Sequence, residues 1–433
     1  MMSLSACRNS VEADNEGSTT SLQSSGNSKG KSSSSVKSSS SKKSYPDSFK
    51  PNDKEYPYAD IPRVVIYTKN QQKIKDRETE IPAKLQIWGE KEAESEVLNL
   101  TIRGRGNSSW EMPKKSYKIE FEKKQSMLGM PKDKDWALIA NYADKTLIRN
   151  YIAYHLSATI SSHYAPRCDF VELYVNEEYL GVYLLTETVK IGENRVNIPK
   201  SDYSYIVEVD GKYKDGEITV FSDVISSNGI GKAFRIHYPK NVSDASLDTV
   251  QNHIRNFERF LKSIKKSVDN DVEKWIDVEV YVKHYWIQEC LKNPDASFYT
   301  SVFFSWVKGE KIEMGPVWDF DLAMGNHSSD SMNLVENWQI RNYWNSFLFK
   351  DSLFKEKVFE EWNSNRMIYE SVNESIDVIA KKIKRAAKNN FKRWNILDVS
   401  KNWLHGSYRN YDEAINDLKK WIKKRNEWID SQM

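Results

Sequence analysis

Hydrophobic residues follow two different periods in the two halves of this chain, and that division limits its architecture more than any single motif does. The N-terminal half holds short runs rich in β-branched residues and separated by polar turns, which is typical of strands. These runs cover residues 63–67, 83–88, 97–102, 116–121, 170–175, 181–185 and 205–210. The C-terminal half repeats its apolar residues at helical spacing. We therefore predict an α+β fold with a β-rich N-terminal part and a mostly helical C-terminal part.

Helices are predicted over residues 144–156, 250–265 and 278–290 and throughout the C-terminal region. Asp144 is the expected N-cap of the first of these helices. A hairpin is expected at residues 298–314. The last helix carries one apolar stripe, made of Tyr411, Ile415, Leu418, Trp421, Ile422, Trp428 and Ile429. Lys and Arg occupy its other side, which indicates a solvated helix face rather than a binding patch.

The N-terminal segment differs in composition from the rest of the chain. From about residue 9 to residue 48 it is rich in Ser, Lys, Asn and Gly and has almost no large apolar side chains. Such a segment cannot bury enough surface to offset the entropy of ordering. We therefore predict a disordered tether over residues 1–55 and a folded domain over 56–433, with a β-rich lobe at about 56–210 and a helical lobe at about 211–433.

Residues 4–7, Leu-Ser-Ala-Cys, resemble the lipobox that ends a bacterial lipoprotein signal peptide. The apolar and basic stretches that should precede a lipobox are missing, so lipidation at Cys7 and a chance match are both open. A lipid anchor at Cys7 followed by a flexible stalk predicts an extracytoplasmic protein, either a bacterial surface lipoprotein or a secreted one. In that case membrane contact would come only through the lipid.

Composition excludes several classes of protein. The net charge of +3 argues against a dedicated nucleic-acid binder, which normally has a strongly basic face. No apolar run approaches the ~18 residues that span a bilayer. Apart from Cys7, the cysteines are Cys168 and Cys290, and there is no C-x-x-C pattern. They are expected to be either buried thiols or one disulfide.

Asp319 and Asp321 lie two residues apart between large apolar side chains, in the stretch GPVWDFDLAMGN at residues 315–326. In an extended backbone such residues point to the same side, so both carboxylates are expected to face one cavity while Trp318 and Phe320 anchor the segment. Mg²⁺ prefers one or two carboxylates and takes its other ligands from water and phosphate. The pair is therefore a candidate metal site.

Two further segments point toward phosphate chemistry. A turn containing two glycines, RGRGNSSW at residues 103–110, includes Arg105 and Asn107, and Lys115 and Lys118 follow it. Glycines allow backbone amides to approach a phosphate, and nearby cations supply positive charge. Asp295 follows a predicted helix and precedes the hairpin that leads to Asp319. An Asp after a helix, then a hairpin, then a metal-binding Asp is the order found in phosphoryl-transfer enzymes.

The chain resembles the spore-coat protein H (CotH) kinase-like proteins. The resemblance is carried by RGRGNSSW, PKKSYKIEF, DWALIANYADKTLIRN, GVYLLTETVKIGENRVNI, YIVEVD, NPD and GPVWDFDLAMGN, which follow one another in order from about residue 60 to the C-terminal helix. It implies a divergent protein-kinase-like fold. It also implies an atypical kinase that uses ATP with Mg²⁺ or Mn²⁺ to phosphorylate Ser or Thr of secreted or surface proteins.

The resemblance also assigns expected roles to individual residues. It implies that Asp295 is the catalytic acid of the loop, that Asp319 and Asp321 hold the metal, and that Lys115 neutralises phosphate. Lys118 is the second choice for that lysine because it points to the opposite face of the strand. Arg105 and Asn107 are expected to cover the phosphates, Glu187 to orient a cation, and Glu208 to lie on a strand toward the adenine pocket. Arg149 is expected to pair with an acidic neighbour.

One departure from the family pattern leaves the metal stoichiometry open. Many relatives have Asn a few residues after the catalytic Asp, where this chain has Ser297 and Phe298. Two other functions also stay open: a catalytically inert surface or adhesion scaffold, and an AMP transferase that uses the same metal site. The expected partner is a Ser-rich protein, which includes the chain's own Ser/Lys-rich tail at residues 28–43 as a candidate for autophosphorylation.

Overall fold

The computed structural model describes residues 43–161, 163–227 and 230–433. Residues 43–433 form one compact unit. The tail at residues 28–43 and Cys7 therefore lie outside the described residues, except for Lys43. No helix in the described ranges is both long and apolar enough to cross a membrane.

Seven strands of the N-terminal half close into a barrel in the order β1-β2-β3-β4-β5-β7-β6. Their bounds are β1 Arg63–Thr68, β2 Ile81–Trp88, β3 Leu98–Arg105, β4 Ser116–Gln125, β5 Asp133–Ile139, β6 Cys168–Val175 and β7 Glu178–Glu187. Neighbours pair antiparallel except β1 and β6, which close the barrel in parallel with Arg63 beside Glu172. Alternate residues of β2 are buried, so one face of this strand fills the barrel interior.

A second, five-stranded sheet has the order β12-β11-β8-β10-β9. Its strands are β8 Ser204–Val209, β9 Thr219–Ser227, β10 Ile230–Tyr238, β11 Val302–Val307 and β12 Glu313–Met314. Every residue of the central strand β8 is buried, which explains why its sequence reads as a nearly continuous apolar run. The end of β8 and the start of β11 lie side by side, with Val209 paired to Val302.

The helices pack around this sheet and against the barrel. They are α1 Ser108–Glu111, α2 Arg149–Ile160, α3 Asp244–Ser263, α4 Val278–Cys290, α5 Asp330–Asn333, α6 Tyr343–Leu348, α7 Ser352–Glu370, α8 Val372–Arg393 and α9 Tyr411–Gln432. In α9 the predicted stripe is buried or partly buried against the main core, and Trp421 and Trp428 are its partly buried members. The expected β-rich N-terminal part and helical C-terminal part are therefore confirmed.

The first predicted helix begins later than expected. It starts at Arg149 rather than near Asp144, because Leu147 has a left-handed backbone (φ 64°) that cannot continue a helix. Asp144 still serves this helix end, since its carboxylate accepts hydrogen bonds from the backbone N–H of Thr146 and Arg149, each at 2.9 Å. Asp144 also pairs with the Arg149 guanidinium, as expected.

Two expected boundaries differ from the structure. The tether was expected to reach residue 55, but Phe49 is buried against the outside of the barrel, where its ring lies 4.9 Å from that of Tyr67. Two isolated aromatic residues, Tyr45 and Phe49, within a polar segment give no periodic signal, which is why this contact was not predicted. The helical lobe at about 211–433 also supplies β9 to β12. Both remaining cysteines, Cys168 and Cys290, are free thiols.

Candidate active site

A cavity of about 660 Å³ lies where the open end of β3, the β4–β5 face, the second sheet and two loops meet. The loops are those that follow α4 and β12. Seven of the predicted site residues line this one cavity, although they come from distant parts of the chain: Arg105, Asn107, Lys118, Glu208, Asp295, Asp319 and Asp321. The fold therefore brings together most of the residues that the sequence motifs singled out.

Asn293 joins the two loops that carry the carboxylates. Its side-chain oxygen accepts a hydrogen bond from the backbone N–H of Asp295 at 3.2 Å. Its amide nitrogen donates to the backbone carbonyl of Asp319, also at 3.2 Å. Because Asn293 is almost fully buried, these bonds are shielded from water and hold Asp295 and Asp319 in a fixed relation.

The Asp319 segment is held from the other side by α2 and has an unusual backbone. The Phe320 N–H donates to the side chain of Asn150 at 2.7 Å. Asp319 itself has a left-handed backbone (φ 61°), which is rare outside Gly and is found mainly where surrounding contacts enforce it. The extended geometry expected for this segment is therefore wrong. Asp319 and Asp321 nevertheless both face the cavity, because the segment turns around the buried Phe320 ring.

The three carboxylates shift one another's protonation. Burial, followed by the charge of Asp319, raises the pKa of Asp295 to about 7. Burial also raises the pKa of Asp319, against the opposing effect of Arg105. The pKa of Asp321 is raised furthest, by burial and then by Asp319, Asp295 and Asp144. Such a cluster of buried carboxylates is unfavourable unless a cation offsets its negative charge. Carboxyl groups with strongly shifted pKa values are typical of functional sites.

Cations line the rest of the cavity. The Arg105 guanidinium lies 5.0 Å from the centre of the Trp318 ring, and Lys212 and Lys240 also line the wall. Among the described residues, none of these three cations has an ion pair. Lys118 differs, since its ammonium group bridges Glu120 at 2.8 Å and Asp135 at 2.9 Å. A cavity with several unpaired cations beside a carboxylate cluster fits a ligand that carries phosphates.

Glu208 lies at the end of β8, between the second sheet and the Asp295 loop. One of its oxygens accepts from the backbone N–H of Ser301 at 3.1 Å, and the other lies 2.6 Å from the His237 ring nitrogen. Asp210, two residues further on, accepts from the Thr300 hydroxyl at 3.2 Å. These bonds attach the loop after Asp295 to the sheet.

Two of the predicted site residues lie elsewhere. Lys115 projects away from the cavity, where its ammonium group donates to the Trp110 carbonyl and lies 5.2 Å from the Trp110 ring centre. The two lysines do lie on opposite faces, as predicted. However, the lysine that faces the cavity is Lys118 and not Lys115, so the first choice was wrong. Glu187 is fully buried outside the cavity and pairs with Arg167 at 3.1 Å and Arg195 at 3.4 Å. These two arginines compensate the charge of Glu187 within the protein, so its role is structural.

The glycines of the RGRGNSSW turn also have a structural reason. A Cβ on Gly104 would lie 2.3 Å from the Trp110 ring and 2.7 Å from the Asp76 carbonyl oxygen, so no side chain fits there. Gly106 lines the cavity and has a left-handed backbone (φ 103°). Close packing with Trp110, rather than approach to a phosphate, therefore accounts for the first glycine.

A divalent metal fits the donor set at Asp319 and Asp321. Two carboxylates are the number of protein ligands that Mg²⁺ or Mn²⁺ takes when phosphate and water complete the shell. Within the described ranges, no group of three or more His, Cys, Asp or Glu side chains is placed so that it could hold a metal ion. Ser297 does not line the cavity, since its hydroxyl donates to the Gln339 carbonyl at 3.2 Å.

Several residues of the cavity were not predicted as site residues from the sequence. They are Asn150, Asp210, Lys212, His237 and Lys240. Asp210 stands in the YIVEVD stretch and Asn150 in DWALIANYADKTLIRN, so the motifs contained both residues without indicating a role for either. Lys212, His237 and Lys240 belong to the β8–β9 loop and to β10 and its end, where no strand was predicted.

A family model described as CotH kinase protein matches residues 102–429, which is most of the chain. Comparison with curated proteins gives no match. The matched range includes both loops that carry the carboxylates and all of the cations described above. The chain therefore belongs to the CotH kinase protein family.

Proposed function

We propose that this chain is an ATP-dependent atypical protein kinase that transfers the γ-phosphate of ATP to Ser or Thr of extracytoplasmic proteins. The observation that carries the proposal is the placement of Asp295, Asp319 and Asp321 in the same cavity as the unpaired cations Arg105 and Lys240. The carboxylates would bind the metal and orient the acceptor hydroxyl, and the cations would bind the phosphates of a nucleoside triphosphate.

The proposal includes a divergent protein-kinase-like fold. This fold is supported by the origin of the residues that line the cavity. The β-rich part supplies Arg105 and Lys118, and the part after β8 supplies Asp295 and Asp319. In protein kinases the phosphate-binding lysine and the catalytic Asp come likewise from two different parts of the domain. The sequence predicted the individual strands, but it did not predict that they close into a barrel.

Each residue has a distinct part in the reaction. Asp295, held by Asn293, accepts or orients the proton of the acceptor hydroxyl. Arg105, at the end of β3, binds the phosphates from the barrel side of the cavity. Asp319 and Asp321 would hold Mg²⁺ or Mn²⁺, which supplies charge neutralisation for the triphosphate when bound. Glu208 keeps the backbone after Asp295 in place through its bond to Ser301.

The structure gives an argument against an inert scaffold. The buried charge of Asp319 raises the pKa of both Asp295 and Asp321, which weakens the fold, and a protein without a ligand for these carboxylates would gain stability from their loss. AMP transfer would use the same charges with the nucleotide in a different orientation. Because the matching family model is described as CotH kinase protein, phosphoryl transfer is the function that we put forward.

The protein substrate and the location belong to the same proposal. A Ser-rich extracytoplasmic protein is the expected acceptor, and the chain's own residues 28–43 are a candidate of that composition. Tethering would raise the local concentration of this segment into the millimolar range if it reaches the site. Anchoring through a lipid on Cys7 is the matching proposal for location.

The test is transfer by the full chain to a synthetic peptide with the sequence of residues 28–43, in the presence of ATP and Mg²⁺ or Mn²⁺. Intact-mass measurement of peptide and protein should show the addition of phosphoryl groups. Addition of adenylyl groups would establish AMP transfer instead, and no addition to the peptide, the protein or a second Ser-rich acceptor would support the scaffold.

A matched pair of lysine variants sharpens this test. Lys118→Met should lower the transfer rate about 10-fold, because it removes from the cavity wall the cation that neutralises Glu120 and Asp135. Lys115→Met should leave the rate within about 2-fold, because that side chain contacts Trp110 outside the cavity. The reverse order of sensitivity would contradict the orientation of β4 described above.

A further inference from the structure

We propose that Lys212 is a catalytic residue that contacts the transferred phosphoryl group, an inference that rests on the proposed kinase function. Lys212 lies in the loop between β8 and β9 and lines the cavity together with Asp295 and Asp319. Neither the motifs of the sequence nor the roles implied by the family resemblance include it.

The loop that carries Lys212 is joined to the Asp295 loop by two hydrogen bonds, and a third hydrogen bond holds it internally. The Gly211 N–H donates to the Tyr299 carbonyl at 2.7 Å. The Asp210 carboxylate accepts from the Lys212 N–H at 2.8 Å and from the Thr300 hydroxyl at 3.2 Å. The backbone of Lys212 is therefore anchored to the same loop that presents the catalytic carboxylate.

Gly211 makes this close approach possible. A Cβ at that position would lie 2.8 Å from the Tyr299 carbonyl oxygen and 3.2 Å from its ring, closer than real side chains come. The loop can therefore lie directly on residues 299–300 only with glycine there. The consequence is that the next side chain, Lys212, starts from a backbone position adjacent to the catalytic loop.

The ammonium group of Lys212 is available for a ligand. It lies 5.4 Å from the centre of the Tyr299 ring and has no carboxylate within ion-pair distance among the described residues. Its charge nevertheless reaches the site, because it lowers the pKa of both Asp295 and Asp319 against the stronger effect of burial. Lys118 and Lys190, in contrast, are already paired with Asp135.

This placement gives Lys212 a part in the transfer step. The acceptor hydroxyl oxygen forms a bond to the γ-phosphorus while the bond between that phosphorus and the β–γ bridging oxygen breaks. ADP leaves with the electron pair, and the hydroxyl proton passes to Asp295. Lys212 donates to an oxygen of the moving phosphoryl group, beside Asp295, and stabilises the charge that develops there.

The experiment compares Lys212→Met with Lys232→Met in the full chain. Lys232 is a matched control, since its ammonium group also lies 5.4 Å from a tyrosine ring centre, that of Tyr343, but outside the cavity. For Lys212→Met, kcat should fall about 100-fold while KM for ATP changes by less than about 5-fold. Lys232→Met should leave both values within about 2-fold, and Lys212→Arg should recover part of kcat.

A second readout separates chemistry from mere support of the loop. Removing the Lys212 charge should move the acidic limb of the pH–rate profile upward, because Asp295 then holds its proton to a higher pH. If the wild type is active and Lys212→Met has the same kcat and the same acidic limb of the pH–rate profile as the wild type, the proposed role of Lys212 is overturned. An inactive wild type would instead overturn the kinase function itself, so the two failures are distinguishable.

Discussion

Protonation of Asp295 sets the pH range in which this site can work. Burial and the charge of Asp319 raise its pKa to about 7, so at acidic pH the carboxyl already holds a proton and cannot accept one from the substrate. We predict that kcat/KM for a Ser-rich peptide rises with pH through about 7 and then levels off. Measurement of initial rates across this range checks the prediction, with Asp295→Asn as the control that should be slow and flat. A rate that falls through neutrality would contradict it.

The charge on Asp321 makes the fold less stable when no ligand is bound. Its pKa is raised by burial and by Asp319, Asp295 and Asp144. A group with a raised folded-state pKa favours folding at acidic pH, and that contribution is lost as pH rises through the folded value. We predict that Asp321→Asn increases the free energy of unfolding by about 1 kcal/mol at alkaline pH, while kinase activity is lost.

Urea denaturation at two pH values, without nucleotide, measures this effect. The difference between Asp321→Asn and the wild type should disappear under acidic conditions, where the wild-type carboxyl is protonated as well. Addition of ATP with Mg²⁺ should stabilise only the wild type, because the variant lacks a metal ligand. A variant less stable than the wild type at alkaline pH would show that Asp321 has a structural role instead.

Lys115 and Lys118 show where prediction from sequence ends at the residue scale. Lys118 of β4 lines the cavity, whereas Lys115, just before β4, points away from it toward Trp110, so the two lysines lie on opposite sides as predicted from the strand period. The choice between the two faces depends on which one meets the second sheet and which one meets Trp110, and this is a property of the tertiary structure. Period alone cannot supply that information.

The last helix holds the catalytic loop through a buried ion pair. Glu289, near the end of α4, pairs with Arg425 of α9 at 2.7 Å, and both side chains are fully buried. The same carboxylate accepts the backbone N–H groups of Gln339 and Ile340 at 2.7 and 2.9 Å. One pair therefore connects α9, the segment at Gln339 and Ile340, and the helix that leads into the Asp295 loop.

Loss of the positive partner should destabilise this arrangement strongly. We predict that Arg425→Met lowers the free energy of unfolding by about 3–5 kcal/mol, because Glu289 is left as an uncompensated buried charge. The double variant Glu289→Gln, Arg425→Met should recover part of the loss. Arg409→Met, which removes an exposed partner of Glu413, is the control and should change stability by less than about 1 kcal/mol. If Arg425→Met and Arg409→Met lowered the free energy of unfolding equally, the stabilising role of the buried Glu289–Arg425 pair would be contradicted.

Elements with a clear local signal were predicted, and elements that depend on distant partners were missed. The runs at 63–67, 83–88 and 170–175 are strands because β-branched residues recur there with turn signals on each side. The missed strands include β9 and β10, whose polar and charged residues obscure the alternation. β10 pairs with the buried β8 strand and β9 pairs with β10, and the local sequence encodes neither contact.

At the scale of the whole molecule, closure of the barrel and assembly of the cavity both rest on long-range contacts. The parallel pairing of β1 with β6 joins residues that are far apart in sequence, and it closes the strands into a barrel. The carboxylates at 295, 319 and 321 could be selected from the sequence because their spacing and their order around the hairpin are visible in the chain. Arg105 and Lys118 could be selected as well, but Lys212 and Lys240 could not, because they reach the cavity only through the second sheet.

The point where the folded domain begins gives the last prediction. Phe49 is 5% exposed and packs on Tyr67, the Ser44 carbonyl accepts from the Asn70 N–H at 2.9 Å, and Asp53 pairs with the buried Arg63. These contacts attach residues 44–53 to the outside of the barrel. The segment therefore belongs to the folded unit, although its composition resembles that of the tether.

We expect Phe49→Ala in the full chain to lower the free energy of unfolding by about 3 kcal/mol, because a buried aromatic ring is lost and a cavity is left beside Tyr67. Phe359→Ala is the matched control, since Phe359 is 47% exposed and its loss should cost less than about 1 kcal/mol. Denaturant titration of the two variants measures both values. If Phe49→Ala is as stable as the wild type, residues 44–53 contribute nothing to the fold and the domain begins near residue 56, where the composition of the chain placed it.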